Sequence, residues 1–339
     1  MTETNVERNS SLAVLFDDLP GEAVPYAIAA GEGRRTLVGG MLVTEIARPI
    51  DTGAAFAAAW VSGPLGARVP AARAEEELFL FVVDGVVELD LDGALHRLTP
   101  GDSAHIAAGD LVGWTMRAHT NRILHYSSEG RRQEQLVRMG AAFSGHSHQS
   151  EAQLLDPASW ADLGAEYGVT LAGTGEDPAA SGRSRIVRAA DGERWASHAQ
   201  LNSYLARARD TDGSYFAMHT RGARSPWIPR HRHHLHTENF LCLDGRARIE
   251  ANGTDILLTR GDFLHAPAGT IHSFRFERSD TQMLGLLTTG IFEPFFEFMN
   301  EPTRERTPDE SGEPWFPVAA FEQARAELDV EVVGPPPES

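Results

Sequence analysis

The sequence predicts an all-β chain folded as two jelly-roll barrels in tandem, each a double-stranded β-helix, with short helical appendages. Three observations lead there. Short apolar runs rich in Val, Leu, Ile and Phe are punctuated by Gly, Pro and Asp at the spacing of a sandwich or barrel. The chain also repeats itself at a constant offset of 160 positions. Asp84-Gly85 returns as Asp244-Gly245, Thr99-Pro100-Gly101-Asp102 as Thr259-Arg260-Gly261-Asp262, His105 as His265, Ala108-Gly109 as Ala268-Gly269, and Phe56 as Phe216. A fixed offset over that distance means two copies of one unit. Finally, the second copy carries His231, His233, Glu238 and His272 where extended strands would bring them together.

Taken in order, residues 1–24 are polar and acidic and read as an arm that is mobile or packs across a neighbouring barrel. The first barrel is expected over 25–150, with strands at 36–40, 41–47, 54–61, 78–83, 86–91, 111–116 and 123–126. The stretch 142–151 is rich in Ser, Gly, His and Gln and reads as loop. It contains His146 and His148, but no second block follows to complete a ligand set, so no metal is expected there. Residues 151–185 should form a helix and linker: Asp156-Pro157 opens a helical pattern over 158–167 with Trp160, Leu163 and Tyr167 on one face. The second barrel is expected over 186–305. Residues 306–339 supply a C-terminal helix, with Phe321, Ala324 and Leu328 at helical spacing, and a Pro-rich tail.

Composition narrows the function. The 339 residues suit about two domains. Net charge is −18, which leaves no basic footprint for nucleic acid or anionic lipid. No apolar run approaches the ~20 residues of a membrane helix, and the first twenty residues lack a signal-peptide pattern. One cysteine, Cys242, rules out an internal disulfide and fits a reducing compartment, so a cytoplasmic location is the expectation. The chain has no lysine; all 30 basic residues are arginine. That excludes Schiff-base lysine, internal pyridoxal-phosphate and P-loop chemistry.

The chemistry is expected in the second copy. His231 and His233, one residue apart on an extended strand, point the same way. Glu238 follows, and His272 returns on another strand after the Pro267-Ala268-Gly269 turn. Three nitrogens and one oxygen converging inside a barrel suit a first-row divalent metal. In the first copy the corresponding positions are Ala71, Arg73, Leu78 and Val112, none of which replaces a His or Glu ligand. That barrel is expected to be metal-free and to act as a packing partner; an anion or ligand site using Arg73 is the less favoured reading. Period-2 alternation sets Phe240 beside Glu238 and Phe274 beside His272 as pocket walls, with Met218, Trp227, Ile271 and Phe263 as further candidates, and Phe276 as barrel filling. His234 and His236 are expected in an exposed loop, and His265, matched by His105, in a structural position. An apolar pocket with one metal and few polar groups suits a small hydrophobic aromatic substrate and dioxygen.

The two blocks, His231-x-His233-x4-Glu238-x6-Gly245 and Gly261-x5-Pro267-x-Gly269-x2-His272, resemble the paired motifs of the cupin superfamily. Beyond that, the chain resembles the two-barrel quercetin 2,3-dioxygenase-like (quercetinase) cupins, the bicupins of that activity. Four residues before the Glu is their spacing. Gly39-Gly40 with 47–53, Gly290 to Phe298, and Gly334-Pro335-Pro336 resemble their opening and closing segments, so the likeness spans most of 25–337. The resemblance implies one divalent metal per active barrel (Fe, Mn, Co, Ni or Cu) on His231, His233, Glu238 and His272, hence one per chain here. It implies Glu238 as a ligand that also accepts the proton of a substrate hydroxyl. The activity implied is a metal-dependent dioxygenase on a flavonol-like or other hydroxylated aromatic. A metal-dependent isomerase, cyclase or decarboxylase on an aromatic or polyketide-like substrate, or a non-catalytic small-molecule binder, is the alternative. The emptied first barrel is the departure from pattern. A homodimer is the assembly considered.

Overall fold

The computed structural model describes residues 12–15, 18–173, 179–197, 200–311 and 317–338. Most of the expected N-terminal arm lies outside the described residues; within it, Ala13–Leu15 pairs in parallel with Tyr26–Ile28. No described helix is long and apolar enough to cross a membrane.

The strands form an eight-stranded and a five-stranded sheet built mainly from the first copy, and a nine-stranded and a five-stranded sheet built mainly from the second. Equivalent elements recur at the repeat spacing to within one residue. Val87–Leu91 with Ala94–Leu98 matches Ala247–Ala251 with Thr254–Leu258, and Arg34–Val38 matches Glu193–Ser197. The repeated signals have local causes. Asp92-Gly93 and Asn252-Gly253 close the matched hairpins with positive φ at both residues (49° and 80°, 46° and 82°), the geometry that favours a two-residue turn with Gly second. Gly245 is required twice over: its φ is +79°, and a Cβ there would lie 2.6 Å from the Thr281 hydroxyl oxygen. Asp102 and Asp262 each accept from the amide of the Thr three residues earlier, at 2.8 and 2.7 Å.

Among the described residues, four α-helices accompany the barrels. Helix α1, Arg131–Arg138, packs behind the first barrel and was not anticipated. Helix α2, Pro157–Tyr167, starts as its sequence suggests: Asp156 caps the Ser159 amide at 3.0 Å, Pro157 takes the first turn, and Gly168 ends it in the left-handed region. Helix α3, Phe295–Met299, and helix α4, Val318–Glu327, follow the second barrel, and α4 buries Phe321 and Ala324 as expected.

The pairing departs from the expected boundaries. Tyr26–Ile28 lies within the span expected for the first barrel yet pairs with Phe263–Ala266 of the second, while Arg185–Val187 lies at the expected start of the second yet pairs with Ser103–Ile106 of the first. The exchange is reciprocal down to the side chain: Asp262 accepts from the Ala30 amide at 2.7 Å and Asp102 from the Ala189 amide at 2.8 Å. The stretches 151–185 and 306–339 also hold strands rather than only helix and tail. Val169–Leu171 pairs with Arg68–Ala74, and Glu331–Gly334 with Arg230–Arg232. Between the barrels lies a shared core that includes Phe79, Phe81, Tyr126, Tyr215, Phe263 and Leu284. Buried His105 holds the Tyr215 hydroxyl at 2.7 Å, and His265 holds the Asn239 side chain at 2.7 Å, so both repeated histidines have structural partners.

In the first barrel the strands Arg68–Ala74 and Leu111–Met116, the counterparts of those carrying His231 and His272, bear no histidine of their own. A guanidinium lies there instead. Arg132, from α1, is 1% exposed and donates to the Ala72 carbonyl at 3.1 Å and the Val112 carbonyl at 2.7 Å. Arg73 donates to the Gly109 carbonyl at 2.8 Å and lies 3.7 Å from Asp92. Close by, His125 is buried against Trp114, and neither ring nitrogen meets a hydrogen-bond partner among the described residues. Burial, helped by the Arg132 charge, pushes its pKa down to about 3. The unfolded chain therefore binds a proton that the folded chain refuses between about pH 6.5 and 3, and stability falls as pH falls through that window, by about 1.4 kcal/mol per pH unit for this group. We expect His125→Leu to match or exceed the parent in urea melts at pH 7 and to lose stability less steeply between pH 6 and 4. An unchanged slope would locate the acid sensitivity elsewhere.

Candidate metal centre

His231 lies on the short strand Arg230–Arg232, directly opposite His272 at the start of His272–Phe276. His233 follows two residues on, so both imidazoles face inward while Arg232 turns away to bond Glu331 at 2.7 Å. Glu238 sits near the start of Thr237–Asp244. The ligand-capable atoms of His231, His233, Glu238 and His272 all lie within 4.8 Å of one another, and each residue is at most 9% exposed. The structure thus brings together the four residues expected from the motif.

Each imidazole is fixed by its other nitrogen. Nδ1 of His231 donates to the Pro229 carbonyl at 3.0 Å, that of His233 to the Asp329 carbonyl at 2.5 Å, and that of His272 to the Thr270 carbonyl at 3.0 Å. A carbonyl only accepts, so Nδ1 carries the proton and each Nε2 lone pair is left for the centre. His272 Nε2 is 2.8 Å and His233 Nε2 3.7 Å from Glu238 Oε2. Two lone-pair-bearing atoms this close repel unless a proton or a metal cation lies between them. The donor set therefore fits a divalent first-row metal. Burial and the neighbouring imidazoles hold His231 well below the usual imidazole pKa. For Glu238, burial works toward protonation, but His233 and His272 outweigh it and hold the carboxyl well below its usual range.

One face of this cluster opens on a cavity of about 160 Å³ reached by His231 and Glu238. Phe240 and Phe274 line it, as alternation suggested, and so do Met218 and Trp227 of the further candidates. Ile271 does not, because it immediately precedes His272 on a period-2 path and its side chain turns the other way. Phe263 is buried in the core between the barrels, and Phe276 fills the barrel. The remaining walls come from segments that periodicity could not place: Phe292, Phe295 and Phe296 after the last long strand, and Phe321 on α4. Their signal is the density of aromatic residues between 292 and 298. A polar chain joins the wall, with Thr220 donating to Asn202 at 2.7 Å and Asn202 to Asn300 at 3.2 Å.

His234 is exposed as expected and pairs with Glu331 at 2.7 Å. His236 is not in an exposed loop: it is 1% exposed, stacks on Phe292 and donates from Nδ1 to Asp329 at 2.8 Å. His146 and His148 make contacts to Arg35 and the Gln149 carbonyl.

A family model for the cupin domain matches residues 220–287, the span holding all four candidate ligands. A quercetin 2,3-dioxygenase of Bacillus subtilis (strain 168) is 31% identical over 298 residues, covering 84% of this chain and 88% of that protein. One from Aspergillus japonicus is 32% identical over 82 residues, 23% of each chain. Among solved structures, oxalate decarboxylase from Bacillus subtilis superposes with a TM-score of 0.52 at 13% identity, over 78% of this chain and 75% of that one. A putative glyoxylate-induced protein from Pseudomonas aeruginosa gives 0.52 at 16% identity, over 75% and 82%. At those identities the structural likeness speaks for the two-barrel fold alone. Joined to the bacterial relative that spans most of both chains, the repeat and the second-barrel motif lead to one assignment: this chain belongs to the quercetin 2,3-dioxygenase-like family of two-barrel cupins.

Proposed function

We propose that the protein is a metal-dependent dioxygenase acting on a flavonol-like or other hydroxylated aromatic substrate. His231, His233, Glu238 and His272 hold one divalent metal (Fe, Mn, Co, Ni or Cu) per chain, and Glu238 is also the general base. The observation that carries this reading is the juxtaposition of three imidazoles, each with Nδ1 tied to a carbonyl, and a carboxylate at the wall of an aromatic cavity. When bound, the metal would supply Lewis-acid charge and open coordination positions for small ligands.

The chain's own groups do the rest. Trp227, Phe240 and Phe274 present flat apolar faces against which an aromatic ring can pack with water excluded. Glu238 reaches the same cavity; the imidazoles engage its Oε2, and its ionised state lets it take a hydroxyl proton as the substrate seats. The Thr220–Asn202–Asn300 chain offers hydrogen-bonding groups to substrate hydroxyls in an otherwise apolar wall.

The test is oxygen uptake by metal-reconstituted protein with flavonols and other hydroxylated aromatics. We expect substrate loss with matching consumption of dioxygen, abolished under nitrogen. Turnover that continues under strict anaerobiosis would replace the proposal with an isomerase, cyclase or decarboxylase. Tight binding without turnover in either atmosphere would leave a small-molecule binder.

A further inference from the structure

We propose that Asp329, from the C-terminal appendage, is the positioning residue of the metal centre: it aims His233 and holds the ligand loop behind it. The inference rests on the metal reading above and adds a residue outside both motifs.

Asp329 lies in the short link between α4 and Glu331–Gly334, a strand that pairs with Arg230–Arg232. Its main chain and side chain act together. The carbonyl takes the His233 Nδ1 proton at 2.5 Å. The carboxylate takes three donors from the next turn: the His234 amide at 2.9 Å, the Leu235 amide at 2.8 Å and His236 Nδ1 at 2.8 Å. A carboxylate that accepts several backbone and ring N–H groups fixes the segments bearing them. With residues 234–236 stapled to this link, the Asp329 carbonyl is held against the His233 ring. That carbonyl fixes the ring's tautomer and leaves Nε2 for the metal. His231 and His272 take carbonyls from two residues before themselves. Among the three imidazoles His233 alone depends on a remote segment, 96 positions away.

The duplication offers an independent comparison. In the first barrel, α2 is followed by Val169–Leu171, which pairs with Arg68–Ala74 just as Glu331–Gly334 pairs with Arg230–Arg232. By the offset of 160 and by register, with Arg232 opposite Glu331 and Ala72 opposite Leu171, the residue in the Asp329 place is Val169, which has no carboxylate. The copy without imidazole ligands thus lacks this carboxylate as well, although it keeps the helix and strand around it.

The test uses Co(II) alone as probe, titrated into metal-free full-length protein against a competing chelator. Ligand-field absorption is recorded at saturation and far-UV circular dichroism on each variant. We expect Asp329→Ala to keep the far-UV spectrum, bind Co(II) 10–100-fold more weakly and show a shifted ligand-field band. Asp329→Asn keeps one acceptor oxygen and should fall between Ala and wild type; it decides the matter if the Ala variant does not fold. Glu331→Gln, which loosens Arg232 and His234 on the same segment but none of the four Asp329 contacts, should bind like wild type. Wild-type affinity and an unshifted band in a folded Asp329 variant would overturn the inference, as would equal weakening by Glu331→Gln. If the wild-type chain itself bound no Co(II), the metal reading would fall first.

Discussion

Glu238→Gln should keep most of its metal and lose turnover by ~10²–10⁴-fold, the usual worth of a general base. Glutamine has nearly the same shape and can still present an oxygen to the centre, but it cannot take up a proton. The geometry makes this a clean separation, because the three imidazoles are each held by carbonyls that do not involve Glu238. Glu238 is also held ionised by His233 and His272 against its own burial, so in the parent the proton-accepting form is the one present near neutral pH. Steady-state rates at saturating metal, with metal content measured on the same samples, give the answer. Recovery of near-parental rate on adding excess metal would make Glu238 a fourth ligand and nothing more.

The second large effect is expected at His272. It faces His231 across the strand pair and lies 2.8 Å from Glu238, so His272→Ala removes one of four donors and leaves the carboxylate without its nearest partner. Elemental analysis of protein made without an affinity tag should find one metal per parental chain and almost none in the variant. The affinity loss should exceed the ~10–100-fold typical of disturbing a ligand's outer partner. Full occupancy in His272→Ala would mean that the metal sits elsewhere. Two metals per parental chain would return a site to the first barrel, where Ala71, Arg73, Leu78 and Val112 stand.

The sequence discloses the four candidate ligands because imidazole and carboxylate are chemically distinctive and strand geometry turns their spacing into direction. It discloses the doubling because turn residues such as Gly85 and Gly245 are constrained by local sterics alike in both copies. Arg68–Ala74 is hidden because Ala and Arg show no apolar alternation, although the strand pairs along its length. Helix α1 is hidden because Arg-Arg-Gln-Glu-Gln reads as a solvated face, yet Arg132, Gln133 and Gln135 are buried. The cavity wall from Phe292 to Phe296 and the role of Asp329 depend on where the chain returns after leaving a barrel. No local pattern carries that information. Strand exchange is likewise silent, since Tyr26–Ile28 would look the same whichever barrel it joined.

That exchange imposes a timetable on synthesis. The strand that completes the first barrel's edge leaves the ribosome soon after that barrel, with Ala189 only 87 positions beyond its anchor Asp102. Ala30 must wait for Asp262, 232 positions later. At ordinary elongation rates of ~5–20 residues per second, that is a delay on the order of 10–50 s. Throughout it the edge of Tyr26–Ile28 that faces away from Ala13–Leu15 is bare, open to a neighbouring nascent chain as readily as to its own second barrel. Meanwhile the first barrel can close around an arginine that arrives with the polypeptide, Arg132, which ties the Ala72 and Val112 carbonyls together.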